Sequence, residues 1–182
     1  TQTLVYRVAR TMRIRIGGRL PAGSTAKDLA LAVLRKISAR GALGHVVEYC
    51  GEAVDALEVE GRFTLCNLTV EAGARGAVIA PDAKACAWVE AHCPDLQGAE
   101  LEAARAYWRT LKSDEGARYD AEVEFDAGGV EPMVTWGTSP DQVAGVGEAV
   151  PAPESCGAEV DVAAARRAQA YQGLAPGQAL EG

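Results

Sequence analysis

The 182-residue sequence predicts an α/β fold, a layered sheet covered by helices, and three observations carry that prediction. Strand-like and helix-like patterns alternate through most of the first 126 residues, as they do in a mixed or largely parallel sheet with helices on its faces. Met12 to Ile16 and Tyr119 to Phe125 alternate apolar and charged residues with the period of a half-buried strand. Ala77-Val-Ile-Ala80, stopped by Pro81, is short and uniformly apolar, the pattern of a strand buried on both faces.

Each element has its own local reason. Gly17-Gly18 breaks the first strand and Pro21-Ala-Gly23 makes a turn. Thr25 with Asp28 three residues later forms a capping pair for a helix whose Leu29, Val33 and Ile37 recur four apart until Gly41. Gly44 to Tyr49 reads as a second strand, closed by Gly51, and Glu52 to Leu57 as a brief helix. A helix through Thr64 to Arg75 is ended by Gly73 and Gly76, and the strand over Ala77 to Ala80 follows. Helices over Pro81 to Glu90 and around Leu101 to Leu111 are expected to pack on the sheet. Thr135 to Pro140 reads as a strand end entering a turn, and the Gly- and Pro-rich stretch to Cys156 as a long exposed connector. The last helix is expected over Val160 to Tyr171. Residues 1–150 then form the α/β portion, and 151–182 an exposed connector with the terminal helix.

Composition excludes several function classes. With 48% hydrophobic residues the chain can bury a real core. A net charge of -7 argues against a nucleic-acid surface, which needs a basic stripe. Arg7, Arg10, Arg13, Arg15 and Arg19 come nearest, yet period two makes Arg13 and Arg15 one solvated strand face. There is no run of about 18 apolar residues and no leader pattern, so a cytoplasmic location is expected. Five scattered cysteines without a C-x-x-C pair, and two histidines, His45 and His92, supply no metal-ligand spacing; reduced, buried thiols are expected. The acids Asp120, Glu122, Glu124 and Asp126 face along one strand and read as solvation rather than acid/base chemistry.

The helix over Thr64 to Arg75 is the most informative segment. Wound at 3.6 residues per turn, it is apolar nearly all round except for a line of Thr64, Asn67, Glu71 and Arg75. Buried amide and carboxylate groups need partners, so such a line meets a hydrogen-bonding network or opens on a polar cleft that holds a ligand. A solvent-exposed stripe on a half-buried helix gives the same pattern.

Several ordered motifs carry a family resemblance. They are Thr1-Gln-Thr-Leu4, Gly44-His-Val46 with Glu48, Gly61-Arg62, Thr64-Leu-Cys-Asn67, Glu71-Ala-Gly-Ala-Arg75, Tyr107-Trp108, Leu111-Lys-Ser-Asp-Glu115 and Thr135-Trp-Gly-Thr138. Together they make the chain resemble the aconitase superfamily, in particular large subunits of the 3-isopropylmalate dehydratase type. The resemblance implies part of an aconitase-type iron-sulfur domain. It also implies isomerisation of 2-isopropylmalate to 3-isopropylmalate by dehydration and rehydration, in leucine biosynthesis, on a [4Fe-4S] cluster with one open iron. A serine base on a small subunit or swivel domain is the implied partner. Two site positions carry over: Asn67 as a substrate-binding amide, and Glu71 as the catalytic group handling the hydroxyl or water.

No family role carries over to Thr64 or Arg75, for which packing or an ion pair is expected. The Cys-Thr-Asn-Ser and C-x-x-C motifs that hold the family's cluster do not occur here, nor does the Asp-Ser-His-Thr motif. Cys66 lies within the Asn67 motif without being a family ligand. The expectation is therefore an internal piece of the enzyme, inactive alone, with cluster ligands supplied from elsewhere. Two alternatives stand beside it: a superfamily hydratase acting on citrate, homocitrate or citramalate, and a non-catalytic module that binds a partner subunit.

Overall fold

The computed structural model describes residues 2–156 and 162–180. Four parallel strands form its sheet: β1 (Arg10–Gly17), β2 (His45–Cys50), β3 (Gly76–Ile79) and β4 (Ala121–Asp126), in the order β3-β2-β1-β4. The expected α/β fold with a largely parallel sheet is present. Between the strands lie α1 (Ala26–Ile37), α2 (Glu52–Ala56), α3 (Val59–Leu68), α4 (Ala83–His92) and α5 (Gly98–Trp108). A hairpin of β5 (Met133–Thr135) and β6 (Val143–Gly145) follows, and then α6 (Val162–Gln172). Val160, the expected start of that last helix, falls outside the described residues.

Alternation along the strands produces two unlike faces. Met12, Ile14 and Ile16 of β1, with Val47 and Tyr49 of β2, are buried under Leu29, Ala30, Val33 and Leu34 of α1 and Leu65 of α3. Each buried Val, Leu, Ile or Met side chain among them stabilises the fold by about 1.5–3 kcal/mol relative to exposure. The other face carries Thr11, Arg13 and Arg15. Register sets Arg13 opposite Glu122 and Arg15 opposite Glu124, and both pairs form ion pairs. The two charged rows read from sequence as solvated strand faces are therefore partners across neighbouring strands.

Three expectations change. Ala77 to Ala80 is not buried on both faces: β3 is an edge strand and Val78 is 52% exposed. Nor do both later helices pack on the sheet. α4 and α5 have no fully buried residue; α4 packs on α3, and Arg105 of α5 pairs with Glu90 of α4. The charged sheet face is crossed by the irregular chain after α5, where the Ser113 hydroxyl donates to Glu48 and the Arg13 guanidinium lies 4.7 Å from the Tyr119 ring centroid. Finally, the stretch expected to be an exposed connector contains β6, and Gln142, Val143, Ala144, Gly145, Val150 and Pro153 are buried. Trp136 and Ala144 meet Ala165 of α6 in a second, smaller core.

α1 begins as its capping pair requires. Asp28 N–H donates to Thr25 Oγ1 at 3.4 Å, and Thr25 N–H donates to Asp28 Oδ2 at 2.7 Å. The other oxygen of Asp28 accepts from the Met133 N–H at 2.7 Å, so one carboxylate starts a helix and anchors the hairpin.

Candidate functional site

α3 buries one line and exposes the opposite one. Val59, Arg62 and Leu65 are buried, and the line continues through Thr69 and Ala72 of a 3₁₀ turn, Thr69–Ala72, that prolongs the helix. Gly73, at φ 79°, ends it in the left-handed conformation, with Leu43 packed close against its Cα. The expected all-round burial is thus corrected: Phe63 is 55% and Val70 49% exposed. Asn67 and Glu71 are both exposed, Asn67 between those two apolar residues in sequence and Glu71 directly after Val70.

The expected line of four side chains divides. Asn67 lies in α3 and Glu71 in the 3₁₀ turn, whereas Arg75 follows the Gly73 stop and is no longer helical. Arg75 sets its guanidinium 4.8 Å from the Tyr6 ring centroid. The Thr64 hydroxyl bonds back to the Glu60 carbonyl at 3.0 Å, a local packing role.

Two buried groups that pattern reading passed over hold this helix in place. Arg62 is 6% exposed; its Nε donates to Leu57 O, and its Nη2 donates to Asp55 O and to Asp82 Oδ2 at 2.6 Å. Asp82 also caps α4 by accepting from Ala85 N–H, and its hydrogen bond from Arg62 holds its carboxyl below the usual range. One guanidinium therefore joins the end of α2, the start of α3 and the start of α4. At the far end, the Thr69 hydroxyl donates to Leu65 O at 2.7 Å and lies 2.8 Å from the Tyr49 hydroxyl. Since Thr69 has a single hydroxyl proton, Tyr49 is the donor in that pair. Burial pushes the Tyr49 phenol up to about 12, against a smaller lowering by its bond with Thr69, so it stays protonated at neutral pH.

Next to Phe63 stands an aromatic stack. Trp88 meets Phe63 edge to face at 5.4 Å, stacks on His92 at 4.0 Å, and donates its indole N–H to Glu60 at 2.7 Å. His92 is thereby committed to ring stacking. Burial pushes the thiols of Cys50, Cys66 and Cys156 up, which disfavours the thiolate a metal needs. Among the described residues no group of three or more His, Cys, Asp and Glu side chains could hold a metal ion. The described residues do not fit an iron-sulfur cluster.

Two other places have the geometry of binding regions. A cleft of about 450 Å³ between α1, β4 and the hairpin is lined by Arg35, Lys36, Asp126, Glu131 and Glu148, but Arg35 is already paired with Glu148. The strand order reverses between β1 and β4, the position where open α/β sheets commonly bind ligands. Here that point is filled from within: Asp126 accepts from Gly128 N–H and covers Gly18 so closely that a Cβ there would lie 2.4 Å from its Oδ1.

A family model described as the aconitase family (aconitate hydratase) matches residues 1–182. The chain belongs to the aconitase family. As an aconitase-family chain it is assigned to the hydro-lyases of that superfamily, and its parallel sheet flanked by helices suits such a domain. No helix among the described residues is long and apolar enough to cross a membrane.

Proposed function

We propose that this chain forms one wall of the active site of a hydro-lyase that isomerises 2-isopropylmalate to 3-isopropylmalate, in leucine biosynthesis in the cytoplasm. The observation that carries the reading is the joint exposure of Asn67, in α3, and Glu71, in the 3₁₀ turn that prolongs it, in an aconitase-family chain. Buried groups would be spent on the fold; these two are free to meet a ligand brought by another surface. The aromatic stack beside Phe63 and the exposed Val70 give that surface apolar borders.

Isomerisation by elimination and readdition breaks one C–O and one C–H bond, releases water, and returns the hydroxyl to the neighbouring carbon. Asn67 offers an amide that can donate to a substrate oxygen and accept from its hydroxyl, which fixes orientation. Glu71 offers a carboxyl that passes a proton to the departing hydroxyl and takes one back from water on readdition. The base that removes the C–H proton is assigned to a small subunit or swivel domain closing over this face. A [4Fe-4S] cluster in the complete enzyme would take its ligands from outside the described residues and supply a Lewis acid for the substrate oxygens.

The test is Glu71→Gln in the complete enzyme, followed by ultraviolet absorbance of the unsaturated intermediate. Turnover is expected to fall about 100-fold or more, with subunit assembly unchanged. Asn67→Ala is expected to raise KM more than it lowers kcat. Normal turnover with lost assembly would support a subunit-binding module instead. A preference for citrate, homocitrate or citramalate would move the assignment to another hydratase of the superfamily.

A further inference from the structure

The winding changes between Asn67 and Glu71, from the α-helix that ends at Leu68 to the 3₁₀ turn over Thr69–Ala72. In an α-helix, at about 100° per residue, Glu71 would return to within about 40° of Asn67, whereas three steps of about 120° carry it to about 100°. The direction of the carboxyl relative to the amide is therefore set by where the 3₁₀ turn begins. It begins at Thr69.

We infer that Thr69, held by Tyr49, is a positioning residue that fixes the onset of the 3₁₀ turn and so aims Glu71. The Tyr49 hydroxyl donates to Thr69 Oγ1, which forces the Thr69 proton onto the Leu65 carbonyl four residues back. A hydroxyl bonded to the i−4 carbonyl bends a helix locally and competes with its regular ladder. Beyond it the ladder tightens, with Gly73 N–H donating to Val70 O at 2.9 Å, three residues back. Thr69 is 2% and Tyr49 2% exposed, so water cannot replace either partner. Thr69 and Tyr49 are buried whereas Asn67 and Glu71 are exposed, so the effect passes through backbone geometry alone.

The inference rests on the proposed role of Glu71, and its test separates the two. In the complete enzyme, Thr69→Val keeps the volume and removes the hydroxyl, while Thr69→Ser keeps the hydroxyl. The expected result is a tenfold or greater fall in kcat for Thr69→Val with KM within twofold, and kcat within twofold of the parent for Thr69→Ser. Amide hydrogen exchange over Val70 to Gly73 is expected to accelerate tenfold in Thr69→Val and to stay unchanged in Thr69→Ser. Tyr49→Phe, which removes the donor and leaves the ring, is expected to shift both readouts in the Thr69→Val direction and serves if Thr69→Val does not fold.

Equal kcat for Thr69→Val and the parent, or equal impairment of the valine and serine variants, overturns the inference. If Glu71→Gln leaves turnover intact, the role of that carboxyl falls, and the exchange rates alone then decide whether Thr69 sets the winding.

Discussion

Asp28 shows how much one side chain can carry. Its carboxylate accepts from Thr25 N–H and from Met133 N–H, both at 2.7 Å, joining the start of α1 to the hairpin. Partial burial pushes its pKa up, but the bonds from Thr25 and Met133 outweigh this and leave it lowered. A lowered carboxylate contributes stability that is present above the unfolded pKa and is lost as pH falls through the folded one. Unfolding titrations are therefore expected to show stability falling below about pH 4, and Asp28→Asn to flatten that decline while costing about 1 kcal/mol at pH 7. An unchanged acid limb in the variant would count against this assignment. The capping role was legible, because Thr and Asp three apart specify a local geometry. The bond to Met133, 105 residues away, has no sequence pattern. Arg62 was hidden for the same reason: its carbonyl and carboxylate partners are gathered by the fold, so a lone cation in an apolar helix gives no sign of them.

At the scale of elements, alternating, uniformly apolar and helical patterns, with their turn and cap signals, located β1, α1, β2, α2, β3, α4, α5 and β4 because each depends on nearest neighbours in the chain. Which strand stood at an edge did not follow. Uniform apolarity over Ala77 to Ala80 fitted burial on both faces, yet strand order leaves β3 with one neighbour. The Asn67 and Glu71 motif was readable, but its surroundings were not. The sequence is apolar around that line because Phe63 and Val70 are exposed large hydrophobic residues rather than core. The join between β2 and α2 yields a sharp prediction. Gly51 has φ 107°, and a Cβ there would lie 2.4 Å from the Ile16 carbonyl oxygen in β1. Gly51→Ala combines a disfavoured backbone with a backbone clash and is expected to cost about 2 kcal/mol or more. A shift in the urea midpoint checks it; a variant as stable as the parent would mean the turn relaxes freely.

The whole molecule has two cores of unequal size. The larger one joins β1, β2, α1 and α3, and the smaller is built from Trp136, Ala144 and Ala165 with Leu174 and Leu180 packed against it. The smaller has few large side chains, so it opens with less free energy than the sheet. Native-state hydrogen exchange is expected to release the amides of α6 well before those of Ile14 and Val47; simultaneous release would show one cooperative unit. This second core was the part least legible in sequence. Gly and Pro between Thr135 and Cys156 resemble a loop, but Gln142, through its amide oxygen, accepts from the N–H groups of Thr138 and Ser139 and closes a compact hairpin.

The placement of the three tryptophans follows from this division. Trp88 and Trp108 are half-buried, whereas Trp136 is sealed at 3% exposure beneath α6. Only Trp136 moves from a dry to a wet surrounding when that helix lifts away. Its emission spectrum is thus a built-in optical gauge of whether the C-terminal end of the described chain is seated, readable without any added label.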